Sequence, residues 1–207
     1  MGKKFVFGIM VLCVFFASAC QSAGRQTDEQ TGQQSNIGKV LILYYTWSEQ
    51  ANTENAAKII QGLTQADMVK VEPAAPFPDL ESGEFIAWGR EQLENQAWPE
   101  IKDLGLDPAS YDFIFIGTPV WFGSVSFPIE TLLLNTDFGG KPAACFAMAN
   151  SNAGEVLDHF KNKIKNAQVR EGITFHMKDE TELESKITEW INAIQGHYAS
   201  NGGKEKG

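Results

Sequence analysis

Five short apolar runs alternate with amphipathic segments over most of the chain. The apolar runs lie at residues 40–45, 67–71, 113–117, 143–147 and 169–175. Continuous apolar runs of this length are typical of strands that are buried on both faces of a sheet. Helical patterns follow them, around residues 56–60 and at 85–97, 128–134, 155–164 and 182–194. This alternation predicts an α/β fold with a five-stranded parallel sheet that is covered by helices on both faces.

The first apolar run leads into a polar turn at the start of a helix. Hydroxyl and amide side chains cluster there, at Thr46, Ser48, Asn52 and Thr53. The unpaired N–H groups and the dipole of a helix N-terminus favour an anion, and the turn contains no Lys or Arg. The turn therefore predicts a phosphomonoester site built from neutral donors, although Asn52 or Thr53 alone could serve as a helix cap. It contains neither the Gly-Lys-Ser/Thr of a P-loop nor a GxGxxG dinucleotide motif.

Two further strand ends carry candidate binding loops. The third run continues into Thr118-Pro119-Val120-Trp121-Phe122-Gly123, and the fourth into Met148-Ala149-Asn150-Ser151-Asn152-Ala153-Gly154. The carboxyl ends of parallel strands meet at one edge of a sheet, so the three loops are expected to form one site. Trp121 and Phe122 either stack on a ligand or only cover the core, and Trp47 in the first loop leaves the same two possibilities open. Ser126 is expected to cap the helix that follows.

These loops resemble those of the flavodoxin family. The family pattern Tyr-Ser-x-Ser-Gly-Asn-Thr is matched by Tyr45, Thr46, Ser48, Asn52 and Thr53, with Ala51 at the glycine position and Glu49-Gln50 as a small insertion. The second loop resembles the family's Pro-x-Trp-x-Gly, which packs along the isoalloxazine ring. The third loop resembles a Gly/Ser-rich family loop through Ser151 and Gly154.

The resemblance implies a flavodoxin-like three-layer sandwich that binds FMN. It implies no catalytic side chain, and the cysteines and histidines of the chain predict no metal site. The cofactor-binding residues it implies are Thr46, Trp47, Ser48, Ala51, Asn52, Thr53, Thr118, Pro119, Val120, Trp121, Phe122, Gly123, Ala149, Asn150, Ser151 and Gly154.

The beginning of the chain is typical of a targeting segment. Lys3 and Lys4 precede an apolar stretch at residues 5–16, and small residues lead to Cys20. Residues 1–19 resemble a bacterial lipoprotein signal with Cys20 as the lipidated residue; an ordinary secretory signal is the alternative. The sequence then predicts a flexible tether over the rest of residues 20–38, a folded domain at 39–198 and a flexible tail at 199–207. The expected location is the bacterial cell envelope, outside the cytoplasm and lipid-anchored.

The net charge of the chain limits which partners are expected. The formal net charge is −9, and removal of Lys3 and Lys4 with the signal takes it to −11. This charge argues against nucleic acid and against an anionic membrane surface, so membrane contact is expected through the N-terminal lipid only. It favours a basic redox partner.

Cys145 is expected to be a small buried hydrophobe, and the three histidines show no spacing typical of metal ligands.

Three functions are compatible with these observations. The favoured one is an FMN-binding electron-transfer protein tethered outside the cytoplasm, an electron carrier rather than a turnover enzyme. The first alternative is an NAD(P)H-dependent FMN or quinone reductase, an FMN-dependent oxidoreductase. The second is a surface lipoprotein with weakened cofactor binding that acts as a binding module, and Ala51 and the insertion at Glu49-Gln50 motivate it.

Overall fold

The computed structural model describes residues 37–47, 50–176 and 181–201. The predicted signal, Cys20, the predicted tether up to residue 36, Ser48 and Glu49 lie outside the described residues, as does the predicted tail beyond residue 201. The end of the predicted tether is described, and Ile37 is buried in the core, so the folded domain begins before residue 39. No helix of the described part is both long enough and apolar enough to cross a membrane.

The strands and helices follow the predicted alternation. The strands are β1 Val40–Tyr44, β2 Asp67–Lys70, β3 Phe113–Trp121, β4 Ser124–Val125, β5 Lys141–Ala149, β6 Ala167–Val169 and β7 Ile173–His176. The helices are α1 Asn52–Thr64, α2 Ser82–Asn95, α3 Phe127–Asn135, α4 Val156–Lys163 and α5 Leu183–Asn201, with a 3-10 turn at Pro108–Ser110. Helix α5 therefore continues to Asn201, into the segment predicted as a tail.

The sheet has five strand positions and confirms the predicted parallel architecture. Its order is β2-β1-β3-β5, with β6 and β7 sharing the fifth position beside β5. Strand β6 pairs with residues 141–143 and β7 with residues 146–149, and all of these pairings are parallel. The sequence predicted one strand at 169–175. The structure divides it because Gly172 is pressed against β5, where a Cβ atom would lie 2.7 Å from the Cys145 carbonyl oxygen.

Strand β3 is longer than the apolar run that predicted it. The residues expected in a loop, 118–121, continue the strand: Thr118 and Pro119 pair with β5, and Val120 and Trp121 pair with β4, which returns antiparallel beside them. The turn between β3 and β4 consists of Phe122 and Gly123, with φ values of 52° and 76°. Two consecutive positive φ values define the type I′ hairpin turn, which matches the twist of the two strands.

The core lies on both faces of the sheet. Alternate residues of β1 and β3 point to opposite faces. One face packs under α2, α3 and α4, and the other under α1 and α5. Cys145 is buried, as the sequence predicted, and burial raises the pKa of its thiol. Trp190 on α5 is buried as well.

Candidate functional site

The carboxyl edge of β1 and β3 is the point where the strand order reverses. The chain leaves β1 towards β2 on one side, and later crosses to β3 on the other side. Tyr44 pairs with Gly117, and the N–H of Tyr45 donates to the Gly117 carbonyl at 3.0 Å. Beyond this point the two strands separate into different loops. Ligands of parallel α/β sheets bind in the crevice at such a point.

The first loop delivers the N-terminus of α1 to this edge. Ala51 is the N-cap residue and has a left-handed conformation, φ 50° and ψ 36°, and its side chain makes no capping bond. Asn52 and Thr53 lie inside the helix, so the alternative in which one of them is the cap is not found. The first-turn N–H groups are therefore not capped by the N-cap side chain and can serve an anion.

Glu54 places a carboxylate in the first turn of α1. It forms an ion pair with Lys58 at 2.6 Å, one helical turn further along. The hydrogen bond from Lys58 is the main reason why the pKa of Glu54 lies below its usual value. Lys58 thus offsets the negative charge that Glu54 brings to the helix N-terminus.

An aromatic cluster joins the first and second loops. Its members are Tyr45, Trp47, Phe77, Phe85, Trp88, Trp121, Phe122 and Phe127. Trp121 lies at its centre and is only 7% exposed. Its ring centroid is 5.3 Å from that of Trp47, 5.2 Å from Phe85 and 5.2 Å from Phe127. Trp47 and Phe122 are the exposed rings of the cluster, at 45% and 38%. Trp88 and Trp98 are partly buried and pack against the core on the same face of the sheet.

The second and third loops touch through their backbones. The N–H of Glu155 donates to the Gly123 carbonyl at 2.9 Å. Gly154 has φ 58°, and a Cβ atom there would lie 2.4 Å from the Cα and the carbonyl oxygen of Gly123. The Asn152 side chain accepts from the Gly154 N–H at 2.8 Å, which fixes the loop. Glycine at 154 is therefore required for the contact between the two loops.

Some of the predicted site residues at the strand ends are buried in the fold, and others are exposed. The Thr118 hydroxyl is buried, donates to the Pro119 carbonyl and accepts from the Ser126 N–H, both at 2.9 Å. Ser126 is the N-cap residue of α3, but its side chain makes no capping bond and lies 3.1 Å from the Thr118 hydroxyl instead. Ala149 is buried, whereas Asn150 and Ser151 are exposed at the edge. Thr118 thus serves the fold, and Asn150 and Ser151 are open to a ligand.

His176 is a candidate site residue that the sequence spacing of the histidines did not predict. It ends β7 and pairs with Ala149, directly beside the third loop. Its Nδ1 atom is buried, and no hydrogen-bond partner for it occurs in the structure as described. The signal in the sequence is its place immediately after the last apolar run, since strand ends form the site in such sheets.

Comparison with known proteins agrees with this geometry. The flavodoxin family model matches residues 39–194. A flavoprotein in complex with FMN from Lactobacillus acidophilus is 26% identical, with 72% of this chain and 97% of that chain covered and a TM-score of 0.59. A candidate flavoprotein from Bacteroides eggerthii is 21% identical, with coverage of 76% and 98% and a TM-score of 0.63. One from Bacteroides uniformis is 22% identical, with coverage of 75% and 98% and a TM-score of 0.58.

No curated protein matches the chain. The family model nevertheless covers all of the strands and most of the helices described above. The chain belongs to the flavodoxin family.

Proposed function

We propose that this protein binds FMN at the carboxyl edge of its sheet and carries electrons between partner proteins. The observation that carries the proposal is the convergence of three strand-end loops, in a flavodoxin-family chain that is 26% identical to a flavoprotein with FMN bound. The phosphate would lie at the N-terminus of α1, and the flavin ring would lie against the hairpin and the third loop.

The polar groups at this edge fit the phosphate and the sugar chain. The left-handed Ala51 turns the chain into α1 and leaves the first-turn N–H groups without a cap from its own side chain. Thr46, Asn52 and Thr53 supply neutral donors beside them. The buried Nδ1 of His176 lacks a partner in the described structure, and a polar group of the ligand would supply one.

The aromatic groups fit the flavin ring. Trp47 and Phe122 offer partly exposed faces; the buried Trp121 ring supports Trp47, and the buried Phe127 ring stacks against Phe122. Flat aromatic faces are the surfaces on which a tricyclic ring stacks. When bound, FMN supplies one- and two-electron transfer, while the protein binds it, orients it and shields it from water.

The sequence supports two further parts of the proposal. The signal-like residues 1–19 and Cys20 support a lipid anchor that holds the protein outside the cytoplasm. The net charge of −9 supports a basic redox partner, since opposite charges accelerate the encounter of electron-transfer proteins. The same charge disfavours additional negative charge on the bound cofactor, so a lowered reduction potential is expected.

Titration of apoprotein with FMN tests the proposal. Residues 21–207 should quench flavin fluorescence with a dissociation constant of about 1 μM or lower, because stacked aromatic rings quench flavin emission. A folded α/β protein that causes no quenching would contradict FMN binding and would favour a binding module.

A pair of glycine variants makes the titration specific to the site. Gly154→Ala should weaken FMN binding by about tenfold or more, because its Cβ would collide with the Gly123 backbone. Gly105→Ala is the matched control: Gly105 also has positive φ, 71°, but a Cβ there would meet nothing within 4 Å. Equal affinities in the two variants would place FMN away from the second and third loops.

A further inference from the structure

A buried carboxylate links the helices that follow the second and third loops. Glu130 lies in the first turn of α3, and its side chain is 4% exposed. The Nε2 atom of His159, on α4, is hydrogen-bonded to its Oε2 atom. Lys163, one turn further along α4, places Nζ 3.9 Å from Oε1. Within the described residues, Oε1 has no hydrogen-bond partner.

This pair lies one helical turn below the contact between the loops. The backbone N–H of His159 donates to the Glu155 carbonyl at 2.8 Å, and the backbone N–H of Glu155 donates to the Gly123 carbonyl at 2.9 Å. Helix α3 begins two residues after the hairpin strand β4, and α4 begins two residues after Gly154. The Glu130–His159 pair and the Glu155–Gly123 bond therefore connect the same two segments of the chain.

Beside this backbone contact, an open groove of about 480 Å³ runs between the hairpin and α4, lined by Phe122, Ser124, Asp158, His159, Asn162 and Lys163. Side chains that face such an open space make no dispersion contacts across it. A buried carboxylate, in contrast, must keep its hydrogen-bonded partner, because an uncompensated buried charge is strongly unfavourable. The pair thus fixes the rotation and depth of α4 relative to α3.

We infer that Glu130 and His159 are positioning residues for the third loop: their bond keeps Gly154 against Gly123 and so sets the gap that receives the flavin ring. The first step, from the Glu130–His159 bond to the contact between the loops, concerns the apoprotein alone. The second step, from the contact between the loops to flavin affinity, rests on the proposed function. Lys163 can partly replace His159, because its ammonium group already faces the same carboxylate.

Amide hydrogen exchange in the apoprotein tests the first step. In His159→Leu and Glu130→Leu, the Glu155 amide should exchange about 10- to 100-fold faster, as expected when a charge-assisted hydrogen bond that supports it is lost. His159→Gln, which can still donate to Glu130, should restore most of the protection. The double variant His159→Leu/Lys163→Gln should exchange faster than His159→Leu alone.

The control separates this role from a general loss of stability. Ile187→Val shortens a fully buried side chain on α5, on the opposite face of the sheet. It should accelerate the globally exchanging amides of the core and leave the exchange rate of the Glu155 amide, which opens locally, unchanged. Should a leucine variant fail to fold, Glu130→Gln replaces it: the amide keeps a bond to His159 but loses the charge, so the Glu155 amide should exchange faster than in the wild type, because a neutral hydrogen bond is weaker than a charge-assisted one.

FMN titration of the same variants tests the second step. The dissociation constant should rise about tenfold or more in His159→Leu and stay near that of the wild type in His159→Gln and Ile187→Val. Glu155 exchange that is unchanged in both leucine variants would overturn the inference. Faster exchange with unchanged FMN affinity would overturn its second step. A wild-type protein that binds no FMN would contradict the proposed function, while the exchange result would still decide the first step.

Discussion

Ala51 and Phe122 have left-handed backbone conformations, with φ values of 50° and 52°. For a residue with a Cβ atom, this region costs roughly 1–2 kcal/mol. Both residues lie at the candidate site, Ala51 before α1 and Phe122 in the hairpin turn. Backbone strain of this kind is commonly found where a ligand is held. The conformation of Ala51 also explains why the resemblance to flavodoxins places a glycine at this position.

Introducing a glycine at the N-cap of α1 and removing a glycine from inside α1 should both stabilise the protein. Ala51→Gly relieves a left-handed residue, whereas Gly62→Ala removes a glycine from the helix interior, where a Cβ would meet nothing within 4 Å. Each should raise the free energy of unfolding by about 0.5–1 kcal/mol, measured by urea denaturation. A loss of stability in Ala51→Gly would show that the left-handed conformation is not retained in solution.

The roles of individual residues were predictable from the sequence to different degrees. The place of Ala51 could be predicted because neighbouring residues match a known loop. The bond between Glu130 and His159 could not, because 29 positions separate them and no local pattern records their distance. His176 is an intermediate case. The sequence indicates its position at the end of a strand, but the burial of its Nδ1 atom depends on tertiary packing.

Helix α2 is attached to the rest of the protein largely through aromatic rings. Phe85 and Trp88 belong to the aromatic cluster, and the Phe122 ring lies directly on the backbone of Gly89. A Cβ atom on Gly89 would lie 2.2 Å from the Phe122 ring. The hairpin turn and α2 are therefore held together by a ring that fits into a glycine-lined notch.

A methyl group on Gly89 should loosen this attachment. Gly89→Ala forces the Phe122 ring out of the notch and should lower the free energy of unfolding by about 1–3 kcal/mol. Gly83→Ala, in the first turn of the same helix, adds its methyl group to open space and should be neutral or stabilising by up to about 1 kcal/mol. Thermal and urea denaturation give both values.

The combination of Gly89→Ala with Phe122→Ala identifies the cause. Removal of the ring should abolish most of the extra cost of the methyl group, because the two side groups no longer compete for one space. Additive effects of the two substitutions would show that the ring does not occupy the notch.

The elements themselves were predictable where apolar runs are long and uninterrupted. The runs at 40–45 and 67–71 each became a strand that ends within one residue of the prediction. The length of β3 was underestimated because Pro119 and Gly123 indicate a loop, whereas pairing with β5 and then with β4 extends the strand. The last strand is divided because Gly172 allows a close approach to β5, a tertiary contact without a signal in local hydrophobicity.

All four tyrosines of the molecule resist ionisation. Burial raises the pKa of Tyr44, Tyr45, Tyr111 and Tyr198 above the ordinary value of 10.0, and for Tyr45 burial is the whole cause. In the unfolded chain these hydroxyls lose their protons near pH 10, whereas in the folded protein Tyr45 keeps its proton. The folded state then binds more protons, so stability is complete below about pH 10 and falls as pH rises further.

Tyr45→Phe should reduce this alkaline sensitivity. Above about pH 10.5 the wild-type free energy of unfolding should fall by about 1.4 kcal/mol per pH unit more steeply than that of the variant. Urea denaturation between pH 8 and 11, with phenolate absorbance followed in parallel, measures the difference. Parallel curves for the two proteins would show that Tyr45 ionises in the folded state.

The two edges of the sheet are both short. Strand β2 has four residues, and the other edge is divided into β6 with three residues and β7 with four, separated where Gly172 touches β5. A long, unpaired edge strand is a template on which another chain can add a strand and begin an aggregate. Within the described residues, neither edge offers such a template. Copies crowded together by the proposed lipid anchor could therefore meet along these edges without extending one another's sheet.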